Sequence, residues 1–446
     1  MALDRESLEI LARALDKLDA GFAHLPEFTP RDSGGQRTEE VLLALAEKLQ
    51  DNYPYFHPLY AGQMLRPPHP VARLAYSLAM YINPNNHALD GGRATSAMEK
   101  EAVAEIAAMF GWKEFLGHLC GGGTMANLEA LWVAGQLHPG KKILASEQAH
   151  YTHGRISGVL QLPFEKVATD ACGRMDVSAL AERVGHGDIG TVVATLGTTA
   201  TGSVDPLPEI LELREKFGFR VRVDAAYGGY FALTSNLAEN AAKSFARIGD
   251  ADSIVIDPHK HGLQPYGCGC VLFRDPEVGK LYKHDSPYTY FSSAELHLGE
   301  ISLECSRPGA AAAALWATQK LLPLERDGEF AEGLQRGREA ALQFFRAIEC
   351  NGKFVAAFEP ELDIVVFVPK GGSIEQVSAK SRRIFAAAAR EGLHLAVAEL
   401  PVKFWPHLAQ QNGGETVTCL RSVLMKPEHL EWVGRIIEVL ESCSGV

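Results

Sequence analysis

Two charged side chains of opposite sign stand where two apolar runs of the chain end. Lys260 closes the segment Ser253-Ile-Val-Ile-Asp-Pro-His-Lys260, and Asp224 closes the shorter run Val221-Arg-Val-Asp224. A lysine amine can form a Schiff base with an aldehyde, and a carboxylate can keep a pyridine nitrogen protonated. Together the two residues suggest a site for pyridoxal phosphate, which carries an aldehyde and a pyridine nitrogen on one ring.

The glycine-rich segment Gly121-Gly-Gly-Thr124 is a second candidate part of this site, because it opens a predicted helix. Free N–H groups and the helix dipole make such an end an anion site, and the Thr124 hydroxyl can add a further donor. A structural turn in which Thr124 caps the helix explains the same pattern equally well. The segment alone therefore leaves a phosphate site and an ordinary turn open.

Three further residues have chemistry that suits a flat cofactor. His150 follows a strand-like segment and could stack on an aromatic ring, although a lone histidine is more often structural. Ala226 lies two residues beyond Asp224, so along a strand both would point to the same side, and Ala226 could press on the ring. His259 could turn toward the phosphate, and a cationic or desolvated setting lowers the pKa of a lysine such as Lys260.

Charge and composition exclude several classes of function. The 446 residues carry a formal charge of −12, without basic runs, which argues against binding nucleic acid or an anionic membrane. No apolar stretch is long enough to span a bilayer and the N-terminus lacks a signal layout, so we expect a cytoplasmic protein. Cys268 and Cys270 alternate with glycine and are expected in the core. Because no second pair stands at ligand spacing, we predict no metal site.

Apolar runs and amphipathic segments alternate through the middle of the chain. We predict strands at 142–146, 192–196, 220–223, 254–257 and 269–273. We predict helices at 96–109, 124–136, 177–184, 207–216 and 310–322. This alternation is typical of an α/β protein with a mostly parallel sheet covered on both faces. Ligands in such sheets bind beyond the carboxyl ends of the strands, where both Asp224 and Lys260 are expected.

The two ends of the chain have a different texture. Residues 8–50 predict two helices separated by a Pro/Gly-rich loop at 29–35, and residues 51–92 are rich in turn signals. Beyond residue 322, strands are predicted at 353–368, 393–404 and 417–425, and helices at 374–390 and 428–442. We therefore predict an N-terminal helical arm (1–56), a large domain (57–322) and a small C-terminal α+β domain (323–446).

Four segments in fixed order resemble the group II pyridoxal-phosphate-dependent amino-acid decarboxylases. They are 121–131, 148–150, 223–229 and 257–260. The resemblance runs from about His57 to Trp316. The segment Asp257-Pro-His-Lys-His-Gly-Leu263 is most similar to the short archaeal and bacterial tyrosine/aspartate decarboxylase branch. That family includes aromatic amino-acid, tyrosine, histidine and glutamate decarboxylases.

The resemblance implies a fold of the aspartate-aminotransferase type and an obligate homodimer with its sites at the interface. It implies that Lys260 forms the Schiff base, that Asp224 pairs with the pyridine nitrogen and that Ala226 contacts the ring from below. It places His150 above the ring, near the substrate. The remaining implied cofactor contacts are Gly123, Thr124 and His259 at the phosphate, and Thr199 near the ring oxygen or carboxylate side.

The family protonates the substrate carbon with a tyrosine on a loop after the lysine segment. The matching loop here is 282–293, and its candidate acids are Tyr290 and Tyr288. A loop that merely covers the pocket is an open alternative. Arg307 falls where the family often has Ser-Arg-Arg, but Pro308 replaces the second arginine, so no role is predicted for it.

Three functions remain open from the sequence. The chain could be an amino-acid decarboxylase, or it could catalyse another pyridoxal-phosphate reaction, as an aminotransferase, aldehyde synthase or lyase does. It could also be a catalytically inactive protein that binds the cofactor. We expect a decarboxylase. Tyr60 and Met64 suit an aromatic substrate, which we favour, with tyrosine as the example. Arg66, Arg93 and His87 could instead pair with an acidic substrate such as glutamate or aspartate.

Overall fold

The computed structural model describes residues 5–28, 35–283, 297–411 and 414–445. Within them the chain forms two β-sheets with helices packed around them. Tyr288 and Tyr290, the two candidate proton donors, lie outside the described residues. The described part of the chain contains no helix that is both long and apolar enough to cross a membrane.

The larger sheet has seven strands within the described residues, in the order β1-β7-β6-β5-β4-β2-β3. These strands are β1 Leu116–Cys120, β2 Lys142–Ser146, β3 Phe164–Val167, β4 Ile189–Thr195, β5 Arg220–Asp224, β6 Ser253–Ile256 and β7 Gly269–Phe273. Neighbours from β3 through β6 run parallel, whereas β7 is antiparallel to both β1 and β6. The predicted mostly parallel sheet is therefore confirmed.

The sequence analysis missed the two edge strands of this sheet, β1 and β3. Gly117 and His118 interrupt the apolar pattern of β1, and Glu165 and Lys166 occupy the centre of β3. Edge strands tolerate such residues because one side of the strand faces solvent or a covering segment. Every residue of β4, β6 and β7 is buried, so these central strands give the strong apolar signal that the prediction needs.

The register of the central strands brings the charged tips to one edge. Asp224 is the last residue of β5 and pairs with Thr195 at the end of β4 and with Val255 near the end of β6. Lys260 follows in the turn after β6. Because these three strands are parallel, their carboxyl ends lie side by side, as the sequence predicts.

The helices also follow the sequence pattern, with several additions. In the described chain they are α1 Arg5–Ala20, α2 Gln36–Leu49, α3 Pro70–Met80, α4 Leu89–Met109, α5 Gly123–Leu137, α6 Thr152–Val159, α7 Val177–Val184, α8 Leu207–Phe217, α9 Glu239–Ala246, α10 Gly309–Leu321, α11 Glu329–Cys350, α12 Ile374–Arg390, α13 Pro406–Ala409 and α14 His429–Cys443. The predicted helix at 96–109 begins earlier, at Leu89, and bends at Gly92. Helices α3, α6, α9, α11 and the short α13 were not predicted.

The second sheet is smaller and antiparallel, in the order β10-β11-β9-β8. Its strands are β8 Phe354–Ala356, β9 Ile364–Pro369, β10 Ala396–Pro401 and β11 Thr416–Val423. The predicted strand at 353–368 is therefore two strands, β8 and β9, that pair with each other across a turn. Helices α11 and α12 pack on this sheet, and α14 packs on both helices. The domain boundary at residue 322 stays a prediction.

Arg307 is a structural residue of the large domain. Its side chain is buried, and its guanidinium donates to Glu99 Oε1 at 2.5 Å and to the Leu119 carbonyl at 2.6 Å. Glu99 in turn accepts from Asn86 Nδ2 at 2.7 Å. This buried pair ties the segment before α10 to α4 and β1, so Arg307 stabilises the packing of these elements.

Replacing Arg307 by methionine should lower the free energy of unfolding by about 3–5 kcal/mol, because it leaves the Glu99 carboxylate buried without its cation. Urea unfolding of the apoprotein measures this change. The control is Lys243→Met, which removes an exposed partner of Glu239 and should change stability little. Equal stabilities of the two variants would contradict the structural role of Arg307.

Candidate active site

A cavity of about 360 Å³ opens at the carboxyl ends of β4, β5 and β6, and we call it the Lys260 cavity. Its volume lies in the range of small-molecule sites. It is lined by each site residue that the sequence predicts within the described chain: Lys260, His150, Asp224, Ala226, Gly123, Thr124, Thr199 and His259. The lysine amine and the carboxylate of Asp224 therefore face one small-molecule-sized space, as the sequence predicts.

Asp224 is a buried carboxylate, only 4% exposed, that several donors surround. His153 Nε2 lies 2.9 Å from its Oδ2, and the Ala226 backbone N–H donates to its Oδ1 at 3.1 Å. Burial alone would raise the pKa of Asp224. The hydrogen bond from His153 and the positive charges of Arg222 and Lys260 outweigh burial and hold the pKa well below its usual range. Asp224 is therefore a permanent anion at neutral pH.

Lys260 lies in the turn that follows β6, with its amine at the wall of the cavity. Its Nζ is 3.0 Å from Asp257 Oδ2, and His259 Nε2 lies 3.6 Å from the same oxygen. Asp257 Oδ1 is buried and has no hydrogen-bond partner among the described residues. The Asp257 carboxylate therefore lies close to both the Lys260 amine and the His259 imidazole.

The glycine segment before α5 leaves room that any side chain would fill. A Cβ at Gly123 would lie 2.5 Å from Asp257 Oδ2, and one at Gly122 would lie 3.2 Å from His259 Cε1. Gly122 has a φ of 134°, which an L side chain rarely adopts. Within the described part of the chain no side chain caps α5 at Gly122, so the first-turn N–H groups of this helix are available to an anion in the cavity. This segment fits a phosphate group.

The two histidines predicted at the cofactor are held by local hydrogen bonds. His259 Nδ1 lies 2.8 Å from the Cys268 carbonyl, which can only accept, so Nδ1 carries a proton. His150 Nδ1 accepts from the Thr152 backbone N–H at 3.2 Å, which leaves its Nε2 as the protonated nitrogen of the neutral ring. Burial lowers the pKa of both imidazoles, so each ring is neutral at pH 7.

Arg421 on β11 holds a backbone segment that lines the cavity. Its guanidinium donates to the Thr199 carbonyl at 2.7 Å and to the Ala200 carbonyl at 2.9 Å. A third bond, to the Gly62 carbonyl at 2.9 Å, reaches the segment before α3. Arg421 therefore fixes the backbone on which Thr199 is carried.

The sequence analysis missed four residues of this site: Asn127, His153, Asp257 as a partner of Lys260, and Arg421. Asn127 stands three residues after Thr124 on α5, so helical spacing places it beside a predicted residue, whereas His150 lies before the first residue of α6. That spacing was a usable signal. Arg421 had none, because only the contact between the two sheets brings β11 to Thr199.

None of the five residues considered for substrate choice lines the Lys260 cavity. These are Tyr60, Met64, Arg66, Arg93 and His87. The Tyr60 carbonyl accepts from Lys426 Nζ at 2.5 Å, and Arg66 donates to the Met425 carbonyl at 3.2 Å. Tyr60 and Arg66 therefore contact the loop that follows β11.

The geometry is that of an enzyme that binds pyridoxal phosphate between a lysine, a carboxylate and a helix N-terminus. The family description "Pyridoxal-dependent decarboxylase conserved domain" matches residues 132–370, which is more than half of the chain. The chain therefore belongs to the pyridoxal-phosphate-dependent decarboxylases. It is a carboxy-lyase for an amino acid, and its cofactor is pyridoxal phosphate.

Individual relatives agree on this class but carry different substrates in their names. An L-tyrosine decarboxylase of Enterococcus faecium is 28% identical over 443 residues, covering 74% of this chain and 72% of the relative. A probable L-aspartate decarboxylase of Pyrococcus abyssi is 26% identical over 397 residues, covering 87% and 98%. The substrate is therefore a separate question from the reaction class.

Solved structures share the fold. Mouse CSAD in its apo form has a TM-score of 0.78 at 19% identity and covers 98% of this chain and 99% of its own. Oryza sativa TDC with PLP and tryptamine has a TM-score of 0.77 at 17% identity, with 99% of both chains covered. The predicted fold of the aspartate-aminotransferase type is confirmed.

Replacing Gly123 by alanine should weaken pyridoxal phosphate binding, because the new methyl group would meet the Asp257 carboxylate and displace it or the helix start. Overpacking of this kind costs about 1–3 kcal/mol, which is roughly a 5- to 150-fold higher dissociation constant. Equilibrium dialysis of the apoprotein against the cofactor measures it. Gly434→Ala is the control, since a Cβ there meets nothing within 4 Å. Unchanged affinity in both variants would refute a tight fit at Gly123.

Proposed function

We propose that this decarboxylase acts on an L-amino acid with an aromatic side chain, with tyrosine as the preferred substrate. The supporting observation is the composition of the Lys260 cavity. Tyr151 and Tyr227 line it, whereas no arginine and no lysine other than Lys260 does so within the described residues. An acidic side chain would find no cation there that is not already committed to the cofactor.

Aspartate is the second candidate substrate. It is favoured by the names of relatives such as the probable L-tyrosine/L-aspartate decarboxylase of Methanothermobacter thermautotrophicus, which is 29% identical over 313 residues. The chain would then have to supply a cation from outside the described lining. That requirement makes the aspartate proposal weaker than the tyrosine proposal.

We assign the cofactor-binding roles to the residues that line the cavity. When bound, pyridoxal phosphate supplies an aldehyde that combines with amino groups and a ring that accepts the electrons released as CO₂ leaves. Lys260 provides the amine for that aldehyde, and Asp224 holds a proton on the ring nitrogen. His150 and Ala226 cover the two faces of the ring. The phosphate is bound by Gly123, Thr124 and His259, and Thr199 contacts the ring edge.

A proton must reach the substrate carbon after CO₂ has left. Tyr290 and Tyr288 stay our predicted donors, from the resemblance alone. His150 is neutral, so it can cover the ring without placing a positive charge beside the ring nitrogen. Substitution of each tyrosine by phenylalanine distinguishes them, because loss of the true donor should lower the yield of amine per CO₂ released.

The purified holoenzyme should release CO₂ fastest from tyrosine in a panel that also contains dihydroxyphenylalanine, tryptophan, histidine, glutamate and aspartate. Each reaction should yield one amine per CO₂. Lys260→Ala should abolish turnover, since the amine for the cofactor aldehyde is lost. Lys280→Ala is the matched control because Lys280 is exposed and pairs only with Glu277 among described partners. Release of CO₂ from aspartate alone would support the second candidate, and keto acid instead of amine would refute both.

We also propose that the enzyme works as a homodimer. Helix α2 presents its apolar side chains to solvent: Val41 is 59% exposed, Leu42 57% and Leu43 60%. Exposed apolar surface of this extent on one helix indicates a covered interface. A second copy of the chain is the occupant that the family resemblance implies.

Placing aspartates at Leu42 and Leu43 should convert the dimer into monomers, because two charges would be buried in the interface. Light scattering coupled to size exclusion measures the mass. The double methionine variant at the same positions keeps the surface apolar and should stay dimeric. A wild-type chain that runs as a monomer, or an aspartate variant that still dimerises, would refute this assignment of α2.

A further inference from the structure

His153 is a completely buried histidine that none of the roles above uses. It is the second residue of α6, three positions after His150. Its side chain has no exposed surface, and its Nε2 lies 2.9 Å from Asp224 Oδ2. An ionised carboxylate can only accept hydrogen bonds, so His153 Nε2 is the donor.

The direction of this bond has a second support. His153 Nδ1 is buried and has no hydrogen-bond partner among the described residues. A proton on Nδ1 would therefore be buried without an acceptor, whereas a proton on Nε2 is bonded to a charged oxygen. Both atoms of the ring thus favour the same tautomer, with its N–H aimed at Asp224.

The other contacts of Asp224 leave one lone-pair position of its carboxylate for a donor in the cavity. Asn127 Nδ2 lies 3.5 Å from Oδ2, and the Ala226 N–H donates to Oδ1 at 3.1 Å. The Asn127 side-chain carbonyl accepts from the Arg222 guanidinium, which points the amide nitrogen of Asn127 toward the carboxylate. A carboxylate has about four lone-pair positions, so three donors within the protein leave one for a donor in the cavity.

We propose that His153 is a positioning residue, which holds the Asp224 carboxylate ionised and oriented so that its remaining lone pair meets the ring N–H of pyridoxal phosphate. This inference rests on the proposed role of Asp224. It goes further by naming the side chain that makes Asp224 effective. Without His153, the carboxylate would keep the weaker contact from Asn127 and would be free to rotate or to take up a proton.

A second pair in the same chain shows what a purely structural histidine–carboxylate contact looks like. His118 Nε2 lies 2.9 Å from Glu129 Oε2, and both side chains are buried. Neither residue lines the Lys260 cavity. Burial raises the pKa of Glu129 to about 8 and lowers that of His118 well below the ordinary imidazole value. That pair is neutral, whereas the Asp224 pair keeps a charge beside the cofactor site, so His118 is a matched control.

The test measures cofactor affinity of the apoprotein without any substrate, for pyridoxal phosphate and for its 1-deaza analogue, in which the ring nitrogen is replaced by C–H. His153→Leu should weaken pyridoxal phosphate binding about 10- to 100-fold, the loss expected for one hydrogen bond to a charged group. Binding of the analogue should change little. His153→Gln keeps an N–H donor at a similar reach and should retain affinity within about threefold of wild type.

The control His118→Leu should leave the ratio of the two affinities as in wild type, even if it lowers stability. If His153→Leu keeps the wild-type ratio of the two affinities, the proposal is overturned, even when both cofactors bind more weakly. If His153→Leu does not fold, nitrogen-15 NMR of histidines in the wild-type apoprotein decides instead. A signal assigned to His153, by its absence in His153→Gln, should show a proton on Nε2, and an Nε2 without a proton would overturn the proposal.

Each result is independent of the substrate. Suppose that His153→Leu lowers the affinity for pyridoxal phosphate relative to that for the 1-deaza analogue, and that the wild-type enzyme decarboxylates no amino acid. This result would support the positioning role of His153 and refute the proposed function. If a His153→Leu enzyme decarboxylates tyrosine and has wild-type cofactor affinity, the positioning role of His153 is refuted and the proposed function is not.

Discussion

A single buried negative charge sets the conditions for this active site. Asp224 stands almost without solvent at the end of β5, where an isolated carboxylate would be strongly disfavoured and would become protonated. It stays ionised because His153, Asn127 and its own turn donate to it. A permanently charged carboxylate is what a protonated pyridine ring needs as its partner, and the helices around β5 are arranged to maintain it.

Helix α5 serves both ends of the proposed cofactor. Its N-terminus, with free N–H groups after Gly122, faces the side of the cavity near His259, and Asn127 on its second turn reaches Asp224. One rigid element therefore fixes the distance between the anion site and the carboxylate. The glycines before it matter because the Asp257 carboxylate comes within contact distance of the backbone at Gly123.

Arg421 on β11 and Asp363, just before β9, contact residues that line the cavity. Arg421 holds the carbonyls of Thr199 and Ala200, and Asp363 accepts from the Tyr227 hydroxyl at 2.6 Å. Burial and the neighbouring Asp363 raise the pKa of Tyr227 well above its ordinary value, so its hydroxyl stays a donor. Arg421 and Asp363 therefore hold the backbone of Thr199 and the side chain of Tyr227, and both of these residues line the cavity.

The sequence by itself determined which residues meet at the Lys260 cavity, because Lys260, Asp224 and the glycine turn each follow from short local patterns: apolar runs with charged tips, and glycines before a helix. Parallel strands then bring such tips to one edge without further information. The tertiary structure alone decided which side chains support them. His153 and Arg421 reach their partners across 71 and 222 positions of the chain, and only packing of α6 and β11 fixes those contacts. The edge strands β1 and β3 escaped prediction because glycine, histidine and charged residues interrupt their apolar patterns.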